Sequence, residues 1–128
     1  MGRVVTPVTI SNVKDPSKSI TFDARIDPGA SHVTLPMAWR DRLGQMESVQ
    51  TVRVEMASQN LVEGVLCGPV KVQIEGFRPT FGEVVFMAMT PEEGKYEPLL
   101  GYLVLEQSGI AVDVVGHRLI PLRHFDLK

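Results

Sequence analysis

Phe22-Asp23-Ala24-Arg25-Ile26-Asp27-Pro28-Gly29-Ala30-Ser31 is the stretch on which the reading of this chain turns. From Ser19 onward, apolar Ile20, Phe22, Ala24 and Ile26 alternate with polar residues, the period of a strand with one buried face. The alternation stops at Asp27, where Pro28 and Gly29 follow. A proline biases the residue before it toward extended backbone, and a glycine admits a tight turn. Asp27 is therefore expected at a strand end, its carboxylate carried on a turn. Taken alone, Asp-Pro-Gly is also an ordinary turn sequence of β proteins. Arg25 falls on the same strand face as Asp27.

Working outward, Val4 to Ile10 alternates but contains Pro7, which cannot donate to a ladder and so predicts a sheet edge. Asn12 to Lys18, with Asp15-Pro16-Ser17, reads as a turn. On the other side, His32 to Leu35 reads as a short strand. Pro36 is placed at the first position of a helix that Gly44 ends, with Trp39 and Leu43 sharing its buried face. Ser48 to Ala57 alternates through Val52, Val54 and Met56, and Leu61 to Glu75 through Val70, Val72 and Ile74. The turn-prone Ser58-Gln59-Asn60 between them makes these a long hairpin with an exposed tip. Glu83 to Met89 is a further strand, and Thr90 to Pro98 a loop punctuated by prolines and a glycine. Leu99 and Leu100 then form a short buried strand. Tyr102 to Gln107 reads as a brief helix stopped by Gly109, and Ile110 to Asp113 pairs with Leu119 to Leu122. Many short strands with little helix indicate an all-β barrel or sandwich.

A length of 128 residues with 44% hydrophobic content suits one compact domain spanning residues 1–128. Thirteen basic and 15 acidic residues are scattered along the chain, so no footprint for nucleic acid or for an anionic membrane surface is present. No apolar run is long enough to span a bilayer and no signal-peptide core is seen, which leads us to expect a cytoplasmic protein. The single Cys67 agrees with a reducing compartment. It precedes Gly68-Pro69 in a β run and has no His near it in sequence, so it reads as a small packed residue. His32, His117 and His124 lack the paired spacing of a metal site, and no nucleotide-binding glycine loop occurs. Neither metal nor cofactor is expected.

With these residues in view, the chain resembles the retropepsin-like (clan AA) aspartic peptidases, single-domain relatives of the viral proteases, from about Ser19 to Leu122. Ile26-Asp27-Pro28-Gly29-Ala30-Ser31 matches the hydrophobic-Asp-Thr/Ser-Gly-Ala-Ser signature at all but one position, Asp-Pro-Gly standing for Asp-Thr/Ser-Gly. Val33-Thr34-Leu35-Pro36 is also similar to family sequence. Leu99-Leu100-Gly101 matches the downstream hydrophobic-hydrophobic-Gly motif, and the pair of motifs is far more specific than the acid motif alone. The resemblance implies a closed acid-protease-type barrel with a flap hairpin, tipped by Ala57, Ser58, Gln59 and Asn60, and one or two short helices. It also implies hydrolysis of peptide or protein substrates by a water-activating pair of Asp carboxylates. Such a pair, about 3 Å apart, shares one proton because both acids cannot easily ionise at that distance. This chain carries only one such motif. The family reading is therefore a homodimer in which each copy contributes Asp27 across a two-fold axis. Under it, Pro28, Gly29, Ala30 and Ser31 form the active-site loop, and Leu99, Leu100 and Gly101 support it.

Three residues depart from the family pattern. Pro28 lacks the hydroxyl that in the family braces the two acid loops across the dimer axis, and it has no N–H to substitute for it. Arg25 stands where an apolar residue is usual. If it reaches the cleft, it would favour acidic substrate side chains and also stabilise the ionised pair; if it snorkels to solvent it would do neither. Leu103 replaces a frequent Asp or Asn. The alternative function is thus a catalytically impaired retropepsin-like module that binds peptides or dimerises. A third possibility is an unrelated small β domain. Asp113 reads as a hairpin cap or a partner of Arg118 rather than a second acid.

Overall fold

The computed structural model describes residues 4–55, 59–113, 116 and 118–121. Strands β1 (Val5–Asn12), β2 (Ser19–Ile26), β3 (Val33–Pro36), β4 (Ser48–Glu55), β5 (Leu61–Ile74), β6 (Thr80–Met87) and β7 (Leu99–Leu100) make one sheet, ordered β1-β2-β7-β3-β6-β5-β4. An additional β1–β5 pairing closes this sheet into an uneven ring, with β4 attached outside it along β5. A second sheet pairs β8 (Ile110–Asp113) with β9 (Arg118–Pro121). The fold is all-β, and the two helices among the described residues are short.

Burial follows the sequence period closely in β2, where Ile20, Phe22, Ala24 and Ile26 point inward and Ser19, Thr21 and Asp23 outward. They meet Val8 and Ile10 of β1, Val33 and Leu35 of β3, Val70, Val72 and Ile74 of β5, and Leu100 of β7 in one core. Strand β3 is buried along its whole length, as expected for a strand flanked by parallel β6 and antiparallel β7 inside the ring. The 14-residue β5 holds β6 on one edge; along the other it pairs first with β4 and then with β1. The register shift between Cys67 and Val70 marks the bend where that partner changes.

Several expectations are corrected. Strand β1 is not a sheet edge, because it pairs with β2 and, from Val8, with β5. Pro7 is tolerated because it lies just past the β1–β5 ladder, which ends at Val8 and Ile74: its carbonyl still accepts from Glu75 N–H (3.1 Å), and the missing N–H forgoes only the reciprocal bond at that end. Pro36 ends β3 with extended backbone, one residue before a 3₁₀ helix over Met37–Leu43; Gly44 stops that helix at φ 67°. Leu43 is fully buried but Trp39 only half so. The strand read as Glu83 to Met89 runs over Thr80–Met87. The brief helix is α1 (Tyr102–Ser108), closed by left-handed Gly109, and β8 does pair with β9.

One buried polar residue ties the ring to the 3₁₀ helix. Asn12, 1% exposed, donates to the carbonyls of Leu43 and Gln45 at 2.8 Å each, and its Oδ1 accepts from Lys14 N–H at 3.0 Å. Asn12→Ala is expected to destabilise the fold by about 2 kcal/mol, because those partners lose their bonds where water cannot easily replace them. Urea denaturation checks this, and a change below about 0.5 kcal/mol, the level of an ordinary surface substitution, would contradict it.

Candidate active site

Asp27 follows the last residue of β2, and the backbone around it is sewn to β7 and α1. Arg25 N–H donates to Pro98 O (2.9 Å) and Asp27 N–H to Leu100 O (3.0 Å), continuing the parallel β2–β7 pairing of Arg25 with Leu99 and Ile26 with Leu100. Ala30 N–H donates to Asp27 O (3.0 Å), which closes a tight turn with Pro28 at its second position. Proline suits that position, since its fixed φ is pre-set there and no N–H is needed. Beyond the turn, Tyr102 N–H and Leu103 N–H donate to Ala30 O (2.9 Å) and Ser31 O (3.2 Å). The first-turn amides of α1, which a helix cannot satisfy itself, are thus spent on the acid loop.

Gly101 permits this interleaving. A Cβ at that position would lie 2.6 Å from the Ser31 carbonyl carbon and 2.7 Å from His32 N and O. Leu100 beneath it is fully buried and Leu99 partly so. Asp27, Pro28, Gly29, Ala30, Ser31, Leu99, Leu100 and Gly101 are therefore brought into one knot of backbone although two distant segments supply them.

The carboxylate of Asp27 is partly exposed. Its Oδ1 accepts from Gly29 N–H at 3.0 Å, which orients the acid against its own turn. Its Oδ2 lies 3.8 Å from Arg25 Nη2, and Arg25 Nη1 lies 3.1 Å from Glu97 Oε1. At roughly one-third exposure each of these ion pairs contributes at most about 1 kcal/mol. Arg25 is thus held at the acid by two carboxylates, not splayed into solvent. Glu97 was not legible as a site residue. Only the β2–β7 register reveals it, by setting the loop before Leu99 beside Arg25.

Pro28 and Gly29 are exposed, and Asp27 lines neither of two hollows elsewhere on the surface. One of these, about 390 Å³, is lined by Arg40, Asp41, Gly44, Gln45, Met46, Val49 and Cys67. Burial pushes the Cys67 thiol up from its ordinary range, against the lowering pull of Arg40. A protonated, buried thiol is a packing group and not a nucleophile. Among the described residues no cluster of His, Cys, Asp and Glu could hold a metal ion. Asp113 accepts from Gly116 N–H (2.9 Å) and pairs with Arg118 Nε (3.1 Å), the hairpin role read for it. His32 contacts Ser31 Oγ through Nδ1 at 2.8 Å.

Of the hairpin tip, Gln59 and Asn60 are exposed, with Gln59 in the left-handed region at φ 66°, while Ala57 and Ser58 lie outside the described residues. The hairpin itself is long: β4 and β5 pair in register from Ser48–Gly68 to Glu55–Leu61.

No family model matches the chain, and no curated protein matches it. Solved structures do. EIAV protease complexed with the inhibitor HBY-793 is similar at 19% identity and a TM-score of 0.62, over 88% of this chain and 94% of that one. The retroviral protease-like domain of Ddi1 from Leishmania major is similar at 16% identity and a TM-score of 0.58, over 97% of this chain and 91% of that one. The fold is retropepsin-like, of the aspartic-protease type.

Proposed function

We propose that the chain is a single retropepsin-like domain over residues 1–128 that pairs with a second copy of itself and hydrolyses peptide bonds. Each copy supplies Asp27 to a dyad that activates water while sharing one proton. The observation that supports this most is the backbone knot around the acid: Asp27 sits on a turn pinned by Leu100, Ala30 and α1, with its carboxylate partly exposed. A lone chain leaves Pro28 and Gly29 bare, as a loop awaiting its two-fold mate would be. Substrate would lie extended over the acids, beneath the β4–β5 hairpin, with backbone pairing supplying affinity.

A second reading keeps the fold and the pairing but not the chemistry, and Pro28 favours it. A misplacement of about 1 Å in a positioned group can cost about 100-fold in rate. The proposed test is to incubate the purified protein with a diverse peptide mixture between about pH 4 and 7, with and without a statine-type inhibitor. Inhibitor-sensitive cleavage supports the enzyme; its absence at every pH supports the binding module.

Pro28→Thr should tighten the dimer. Two symmetric hydrogen bonds gained, less the stiffening that proline gives each loop, correspond to about a tenfold lower dissociation constant. Sedimentation equilibrium reads this directly. Strictly monomeric behaviour of both proteins at micromolar concentration would rule out a constitutive Asp27 pair.

A further inference from the structure

Arg25 and Glu97 form a donor–acceptor pair beside the acid. Nη1 of Arg25 lies 3.1 Å from Glu97 Oε1, Nη2 reaches toward Asp27 at 3.8 Å, and the Arg25 side chain is 35% exposed. The guanidinium carries five N–H donors, and a carboxylate's two oxygens can together accept several hydrogen bonds. Both residues are held on anchored backbone. Tyr96 packs edge-on against Trp39 at 5.9 Å, and Pro98 O accepts from Arg25 N–H, so Glu97 sits between two fixed neighbours.

We infer that the Arg25–Glu97 pair is a specificity determinant that selects a carboxamide side chain, Gln or Asn, in the peptide segment lying over Asp27. This rests on the peptidase or peptide-binding reading of that face. A carboxamide offers an oxygen to Arg25 and an NH₂ to Glu97 and adds no charge. An acidic side chain, which an unpaired Arg25 would have favoured, instead brings a third carboxylate to a place that already holds Glu97 and Asp27. A Lys faces Arg25, and a Leu covers an ion pair without replacing the water it displaces. Of these side chains the carboxamide alone answers both members of the pair.

The test uses peptides that differ at one position, scanned along the sequence, in which Gln is exchanged for Glu, Leu or Lys. Cleavable forms report hydrolysis, and reduced-amide forms, which resist hydrolysis, report binding by fluorescence anisotropy. At one position Gln is expected to exceed Glu and Leu by roughly fivefold, the value of about one hydrogen bond. The double variant Arg25→Leu/Glu97→Val should turn that preference toward Leu. Arg25→Leu alone, which leaves Glu97 without this partner, should turn it toward Lys. Preference for Gln in the reduced-amide set without any hydrolysis would uphold this inference and defeat the catalytic reading. Hydrolysis whose side-chain preferences are the same in wild type and both variants would overturn the inference and leave the peptidase standing. Neither binding nor hydrolysis would defeat both. Should the double variant fail to fold, the shift toward Lys in Arg25→Leu decides.

Discussion

Asp27→Asn is expected to lower peptide hydrolysis by at least about 1,000-fold, a barrier increase of about 4 kcal/mol, while leaving the fold intact. Both halves follow from the geometry of the turn. In a homodimer the substitution removes both acids at once, so no carboxylate remains to take a proton from water. An Asn retains the Oδ1 acceptor that receives Gly29 N–H, and the backbone bonds of Asp27 to Leu100 and Ala30 do not involve the side chain. The ion pair with Arg25 is lost, but at its 3.8 Å separation and partial exposure it is worth at most about 1 kcal/mol. Hydrolysis by the Asp27→Asn variant at more than a few per cent of the wild-type rate would place the chemistry elsewhere. A collapse of thermal stability would show that the carboxylate is structural.

Gly101→Ala should do the reverse and damage the structure first. The added methyl would meet the backbone of Ser31 and His32 at 2.6–2.7 Å. No rotation of a side chain can relieve this. Either the acid loop or the start of α1 must move, breaking the bonds from Tyr102 and Leu103 to Ala30 and Ser31. Overpacking of this kind costs about 3 kcal/mol, or about a 10 °C lower midpoint for a chain of this size. Hydrolysis should fall by about 100-fold even where the protein stays folded, because the displaced loop carries the acid. Gly82→Ala provides the contrast. Nothing lies within 4 Å of its Cβ position, and its effect should stay within about 0.5 kcal/mol. Equal losses from the two substitutions would mean that the close approach at Gly101 is not what requires glycine.

The parts of the site that could be read in advance are those whose cause is local. The alternation through Ile20, Phe22, Ala24 and Ile26 placed Asp27 at a strand end, since period-two burial holds for a strand whatever it packs against. Asp-Pro-Gly placed the turn, since its backbone preferences belong to those residues themselves. Gly109 as the stop of α1 was legible for the same reason. Pro7 shows where such reasoning overreaches. The missing N–H was read correctly, yet at the end of a ladder it forgoes a single bond and does not require an edge strand, and only the β1–β5 register places Pro7 there.

What the sequence alone determined, then, is an all-β chain with one acid on one tight turn, followed far downstream by a small hydrophobic segment ending in glycine. Only the tertiary structure decided that Leu100 and the first turn of α1 clamp the acid loop from behind, and that Arg25 faces Glu97 as well as Asp27. Turn and strand preferences are properties of neighbouring residues and are written in order along the chain. Which carbonyl meets which amide across the ring, and which charge meets which, depends on strand register, and register is set by the packing of the whole core.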